Sequence, residues 1–158
     1  MRIRHNYILA LCAVALAVAC VWSVSRPLRF NQEREERETA VKQRLLTIRS
    51  AEERYCAQKG EYAADFATLI AAGLLPDSLQ FVPYSDGEPF DLSTSARITK
   101  SGKVVPLMQC GAQYHQYLKG LDDNSVGNLT DAADAAGRYP GLKVGDLTED
   151  NGNAGNWE

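Results

Sequence analysis

The chain has 158 residues, 45% of them hydrophobic, and a net charge of −3. That length suits one domain with a single modest core. The charge is uneven, +2 over residues 1–6, +3 over 26–59 and −8 over 60–158, and so acidic a C-terminal part lacks the basic surface that nucleic acid requires.

Tyr7 to Ser25 carry no charged side chain. At about 1.5 Å per helical residue the stretch reaches roughly 28 Å, near the thickness of a bilayer's hydrocarbon layer. Three readings fit it. It can be an uncleaved signal anchor. It can be a secretory signal with Arg2 and Arg4 in front, cut after Ala17-Val18-Ala19 or Ser23-Val24-Ser25. It can be a lipoprotein signal ending at Cys20. The anchor is the reading adopted here. An apolar signal core normally runs about 7–15 residues, Trp22 stands where an interfacial aromatic belongs, and Ala17 occupies the place where a lipid-attachment site wants Leu. Cys12 and Cys20 then serve as small apolar residues. The expected topology is single-pass in the inner membrane, with residues 1–6 cytoplasmic and the C-terminal domain periplasmic. A count of flanking arginines alone favours the reverse, but large domains cross largely regardless of charge.

Residues 26–59 read as a stem helix. Arg26, Arg29 and Arg34 form a basic collar suited to anionic lipid headgroups. Pro27 can bend the helix or start a new one, and Asn31 can cap it. Glu33–Arg37 and Glu38–Lys42 are spaced i, i+4 with the acid first, the favourable order. Only the later half has an apolar stripe, Val41, Leu45, Ile48 and Tyr55, widened by Leu46 and Ala51 and interrupted by Glu52. Gly60 ends the helix.

Residues 60–158 form the head. Asp65 caps a short helix over Phe66–Ala72, which Gly73 stops. A short strand is expected over Ser78–Val82, followed by a turn at Asp86-Gly87. Phe90–Leu92, Ala96–Thr99 and Lys103–Gln109 read as strands, the last two joined by a hairpin at Ser101-Gly102. Pro106 places its strand at an edge or a bulge. Tyr114–Leu118 fits either strand or helix. Asp122–Ala136 predicts a helix ended by Gly137, and Leu142–Leu147 a last strand. The Gly- and Asn-rich end, residues 151–158, is irregular, with Trp157 pinning it to the domain. Cys56 and Cys110 are an even pair in an exported domain and so disulfide candidates. The bond would close a loop of about 54 residues; two separate buried thiols are the alternative.

The order anchor, stem, Gly-x-Tyr, short helix, sheet resembles the type IV pilin and type II secretion pseudopilin family. The residues that carry the resemblance are Ile48-Arg49-Ser50-Ala51-Glu52, Lys59-Gly60-Glu61-Tyr62, Leu69 and Ala72-Gly73-Leu74-Leu75-Pro76, in the first half of the chain. The resemblance implies that the second half of the first helix packs on an antiparallel sheet. The prepilin leader, Gly followed by Phe-Thr-Leu-Ile-Glu, has no counterpart here, so the expectation is a pilin-like fold rather than a pilin. Arg26-Pro27-Leu28-Arg29-Phe30-Asn31, Leu46-Thr47-Ile48-Arg49-Ser50-Ala51, Arg138-Tyr139-Pro140-Gly141-Leu142-Lys143-Val144-Gly145 and Asn153-Ala154-Gly155-Asn156-Trp157-Glu158 are similar to a family of single-pass envelope proteins of Bacteroidetes-type bacteria with no assigned activity. That likeness implies a glycosylation candidate at Ser78, within Asp77-Ser78-Leu79; a plain turn capped by Asp77 is the alternative.

Chemistry is sparse. His5 and His115 are the two histidines, and no cluster has zinc-ligand spacing. No nucleophile elbow or phosphate-binding glycine loop occurs. Asp146, Glu149, Asp150 and Asn151 place oxygen ligands for Ca²⁺ in a late loop, which the pseudopilin likeness favours; a solvated acidic tail is the alternative. The fold expected is α+β: a transmembrane helix and long stem helix packed on a small antiparallel, pilin-like sheet. The function expected is a non-enzymatic scaffold component of an envelope or secretion assembly, without a cofactor unless Ca²⁺ binds. Membrane lipid and other envelope or secretion proteins are its partners. A periplasmic or lipid-anchored module binding a small ligand or glycan is the alternative.

Overall fold

A computed structural model describes the backbone of residues 2–158 and the side chains of residues 7–20 and 28–158. Helix α1 is Arg2–Lys59. Its assignment runs through Pro27 and Asn31, so neither residue starts a helix. The side-chain expectations on Arg2, Arg4, His5, Trp22, Ser23, Ser25, Arg26 and Pro27 lie outside the described residues. The chain divides into two compact units, Met1–Glu35 and Glu36–Glu158.

In the first unit every described side chain from Tyr7 to Cys20 is exposed. The large apolar ones there, Tyr7, Ile8, Leu9, Leu11, Val14, Leu16 and Val18, are 53% to 72% exposed. Among the described residues no helix is long and apolar enough to cross a membrane. The described side chains of the Tyr7–Ser25 stretch stop at Cys20, which leaves that stretch only partly covered.

In the second unit α1 meets a three-stranded antiparallel sheet of β1 (Asp91–Ile98), β2 (Val104–Gln113) and β3 (Gly141–Gly145), in the order β1-β2-β3. The register aligns Leu92, Cys110 and Val144 across the sheet, and Ala112 with Leu142. Side chains alternate between faces, so Met108, Cys110, Ala112, Leu142 and Val144 share one face, and all five are buried. The stripe Val41, Leu45 and Ile48 is wholly buried and completes this core, with Ala51 beside it. Tyr55, expected in the stripe, is only half-buried, because it lies beyond the turn that Glu52 takes into the interior.

Short elements close the ends. Helix α2 is Phe66–Ala71, and the Asp65 carboxylate accepts from Thr68 N and Thr68 Oγ1 at its start, as the sequence predicts. The strand expected over Ser78–Val82 is instead a 3-10 turn, Asp77–Gln80, followed by a single bridge from Phe81 to Pro89. Asp77 accepts from Gln80 Nε2 within this turn, a local bond that competes with strand pairing. The two strands expected before Ser101 are one, β1, because β2 pairs without interruption from Val104 to Gly111. Helix α3, Tyr114–Tyr117, resolves the ambiguous segment: Gln113 and Gln116 form a reciprocal capping box. Helix α4, Asp123–Ala135, starts on the Asp122 cap.

Pro106 sits in the half of β2 that β3 does not reach, since the β2–β3 pairing begins at Gln109. Its missing N–H falls where β2 is an edge. Gly145 has φ +73°, and a Cβ there would stand 2.1 Å from the Met108 carbonyl oxygen, so β3 approaches β2 at a point only glycine allows.

Candidate functional site

One constellation is buried where α1 meets the sheet. Glu52 is wholly buried. Its Oε2 accepts from Ala63 N at 2.9 Å, while Oε1 is buried without a hydrogen-bond partner. Burial pushes the Glu52 carboxyl up to about 7, and the Ala63 hydrogen bond opposes that rise. The same carboxylate faces Cys56 and Cys110: burial raises both thiols above their ordinary range, and the Glu52 charge adds to the rise. Both are free thiols, Cys110 buried and Cys56 half-buried. The two disulfide candidates stand as separate thiols, and only Cys110 has the full burial that the alternative named. A thiol raised in this way is a poor nucleophile. The arrangement ties the end of α1 to the segment after Gly60.

On the opposite sheet face Tyr139 lies over Gly111. A Cβ at Gly111 would stand 2.7 Å from the Tyr139 hydroxyl oxygen, so the strand leaves room for the ring only through its glycine. The hydroxyl is buried without a hydrogen-bond partner, and burial, with Asp91 and Cys110 adding, holds its pKa far above the usual value.

A surface groove of about 440 Å³ runs between α1 and residues 79–84. Ala40, Gln43, Arg44 and Thr47 supply the helix wall, spaced i, i+3, i+4, i+7 and so on one face. Pro83 and Tyr84 line the other wall. The walls are tied together by Arg44 Nη1, which donates to Phe81 O at 2.6 Å. The turn beyond is over-determined. Ser85 is 1% exposed, donates to Val82 O at 2.7 Å and accepts from Glu88 N at 3.0 Å. Lys119 pairs with Asp86 at 3.1 Å. The Arg37 guanidinium donates to Tyr117 O and Lys119 O and lies 4.9 Å from the Tyr84 ring centroid. Tyr84 nevertheless stays 54% exposed with φ at 65°, the left-handed region that bulky residues rarely enter.

The residues singled out in the sequence are scattered. Asp146 is committed locally: it accepts from Lys143 Nζ at 2.9 Å and from Thr148 N and Oγ1, bonds that hold its carboxyl well below the usual range. Asp150 accepts from Gly152 N, and the Asn151 amide donates to Ala154 O. Glu149 is exposed. Among the described residues no group of three or more His, Cys, Asp or Glu side chains is placed to hold a metal ion. Ser78 is exposed on the 3-10 turn, whose N-cap is Pro76 and not Asp77. Arg29 is exposed and Arg34 half-buried in the first unit. Trp157 is half-buried with Lys42 over its ring at 5.9 Å. The C-terminal segment is stitched down by Arg49, which donates to Asn153 O and Glu158 Oε1, and by Asn153, which donates to the Tyr62 hydroxyl.

Sequence reasoning treated Glu52 as a mere interruption of the stripe and passed over Tyr84. A signal existed for Glu52, since an acid at a core-facing helical position must find a buried donor. None existed for Tyr84, whose neighbours in space, Arg37 on its ring and Lys119 on Asp86, are distant in the chain. Comparison of the chain with protein-family models, with curated proteins and with solved structures finds no match.

Proposed function

We propose that the chain is a membrane-anchored, non-enzymatic scaffold component of a bacterial envelope or secretion assembly, with a pilin-like head carried on the periplasmic side of the inner membrane. The observation that carries this reading is the first unit of α1. From Tyr7 to Cys20 it turns uncharged side chains outward on every side. At roughly 25 cal/mol per Å² of apolar area, such a surface is strongly disfavoured in water, and a patch of this extent marks a membrane or protein contact. The uncharged run continues in sequence to Ser25, long enough for a bilayer with modest tilt. Arg29 and Arg34, together with Arg26, give the flank the basic character that headgroups attract.

The second unit supports the scaffold role through its economy. Its core sets the α1 stripe against one sheet face, as the pseudopilin resemblance implies, and is closed by Leu69, Tyr117 and Leu118 from the short elements. Lipid is the partner of the anchor, and other envelope proteins are the partners of the head; its acidic surface makes nucleic acid an unsuitable one.

The test is crosslinking in native membranes followed by mild detergent extraction and affinity recovery. The expected result is a discrete set of crosslinked envelope proteins, together with membrane association that survives an alkaline wash. Recovery as a lone monomer, with no crosslinked species under conditions that trap a known membrane complex, would sink the proposal.

A further inference from the structure

The groove between α1 and residues 79–84 has features that a purely structural seam does not need. Its volume falls within the range of about 300–1,000 Å³ typical of small-ligand sites. A bulky residue at positive φ persists only where its surroundings hold it there, and such strain clusters at binding sites. At Tyr84 the surroundings do so, through Ser85, the Lys119–Asp86 pair and Arg37. The outcome is an aromatic ring locked in an exposed position at the lip of a groove, where free folding would bury it or let it move.

The lining states what ligand would fit. Tyr84, Pro83 and Ala40 offer apolar surface. Gln43 offers both a donor and an acceptor in one amide, and the Thr47 hydroxyl adds to them. Arg44 brings a guanidinium suited to a carboxylate, and none of the lining residues is acidic. A bare phosphate would leave the aromatic wall unused. A hydrocarbon would desolvate the Gln43 amide and the Arg44 guanidinium without offering either a new partner. A pyranose ring carrying a carboxylate uses every part: its C–H face on Tyr84, its hydroxyls on Gln43 and Thr47, its charge on Arg44. We propose that this groove binds an acidic saccharide, a uronic-acid-type ring of a surface glycan. The proposal stands apart from the anchor and scaffold reading, because every residue it uses lies in the second unit.

The experiment titrates the full-length protein in detergent micelles with glucuronate, glucose and acetate, followed by calorimetry and by amide chemical shifts. Two variants accompany it. Tyr84→Gly removes the ring while placing at φ 65° the residue that tolerates it best, so its thermal midpoint should hold or rise. Gln43→Ala alters an exposed wall position. Glucuronate is expected to saturate with shifts confined to residues 40–47 and 79–84. It should bind about tenfold more weakly to Tyr84→Gly, the size of one aromatic stacking contact, and more weakly to Gln43→Ala. Glucose should bind about tenfold more weakly than glucuronate. Equal affinity for glucose and glucuronate overturns the acidic class, and acetate binding as tightly as glucuronate overturns the saccharide. Absence of saturation, or binding unchanged in Tyr84→Gly, overturns the site itself. Loss of crosslinked partners bears on the scaffold reading alone, so the two can fail separately.

Discussion

At the scale of single residues, Glu52 is the most consequential side chain. It is an ionisable group placed at zero exposure with half its carboxylate unpartnered. Its folded-state pKa of about 7 lies above the ordinary 4.5, so the folded chain holds the proton more tightly than the unfolded one. The stabilisation from that proton is whole below about pH 4.5, declines as pH rises toward 7 and is absent above it. Glu52→Gln keeps an acceptor for Ala63 N and removes the titration. The difference in unfolding free energy between variant and wild type should therefore shift in the variant's favour by about 3 kcal/mol between pH 4 and pH 8, as measured by denaturant unfolding across that range. A difference that stays flat with pH would show that the carboxyl titrates normally. The sequence marks Glu52 as an interruption of the apolar stripe; that it is buried with the stripe, and which donor meets it, is set by the path of the chain after Gly60. Cys56 and Cys110 teach the same lesson. An even count of cysteines suggests a bond, yet one thiol points into the core from a strand and the other sits half-exposed on a helix.

At the scale of elements, the legible part was large and followed from periodicity. Val41, Leu45 and Ile48 repeat at helical spacing, and all three are wholly buried. Leu45→Ala removes a side chain that the sheet cannot collapse onto, and should cost about 2–5 kcal/mol. The denaturation midpoint should fall without a change in slope, while the exposed Gln43→Ala on the same helix stays within about 0.5 kcal/mol of wild type. Equal effects at both positions would mean that the stripe does not carry the core. Asp65 was readable as a cap because a cap is a local bond between neighbours, and Asp122, at the start of its predicted helix, makes the same kind of bond. The strand expected over Ser78–Val82 was not, because strand identity depends on a partner. Residues 77–80 find their hydrogen bonds within their own turn, and only Phe81 pairs across. Pro106 was expected to mark an edge strand or a bulge, yet β2 is the central strand; the proline is tolerated because β3 pairs only from Gln109 onward and leaves residues 104–108 of β2 paired on one side.

At the scale of the molecule, the chain carries two units with opposite surfaces. The side chains from Tyr7 to Cys20 in the first are exposed, while the second encloses a core of the α1 stripe, one sheet face and residues of the short helices. Val14 is 61% exposed in the first unit. Val14→Asp would bring an acid to the centre of the proposed anchor at a cost of about 2.5–3.5 kcal/mol. The expected outcome is release of a substantial fraction of the chain by alkaline extraction, with the unfolding transition of the second unit unchanged. Full retention in the membrane pellet would argue that the segment is not the anchor. Local sequence alone determined the α+β class, the long helix, the Val41, Leu45 and Ile48 part of its stripe, the Asp65 cap and the uncharged N-terminal run, because each of these is written in residues within a few turns of one another. Only the tertiary structure decided the partner of Glu52, the free state of the two thiols, the strained exposure of Tyr84 and the docking of the C-terminal segment on α1. Those features depend on residues far apart in the chain, and nothing local in the sequence states which of them will meet.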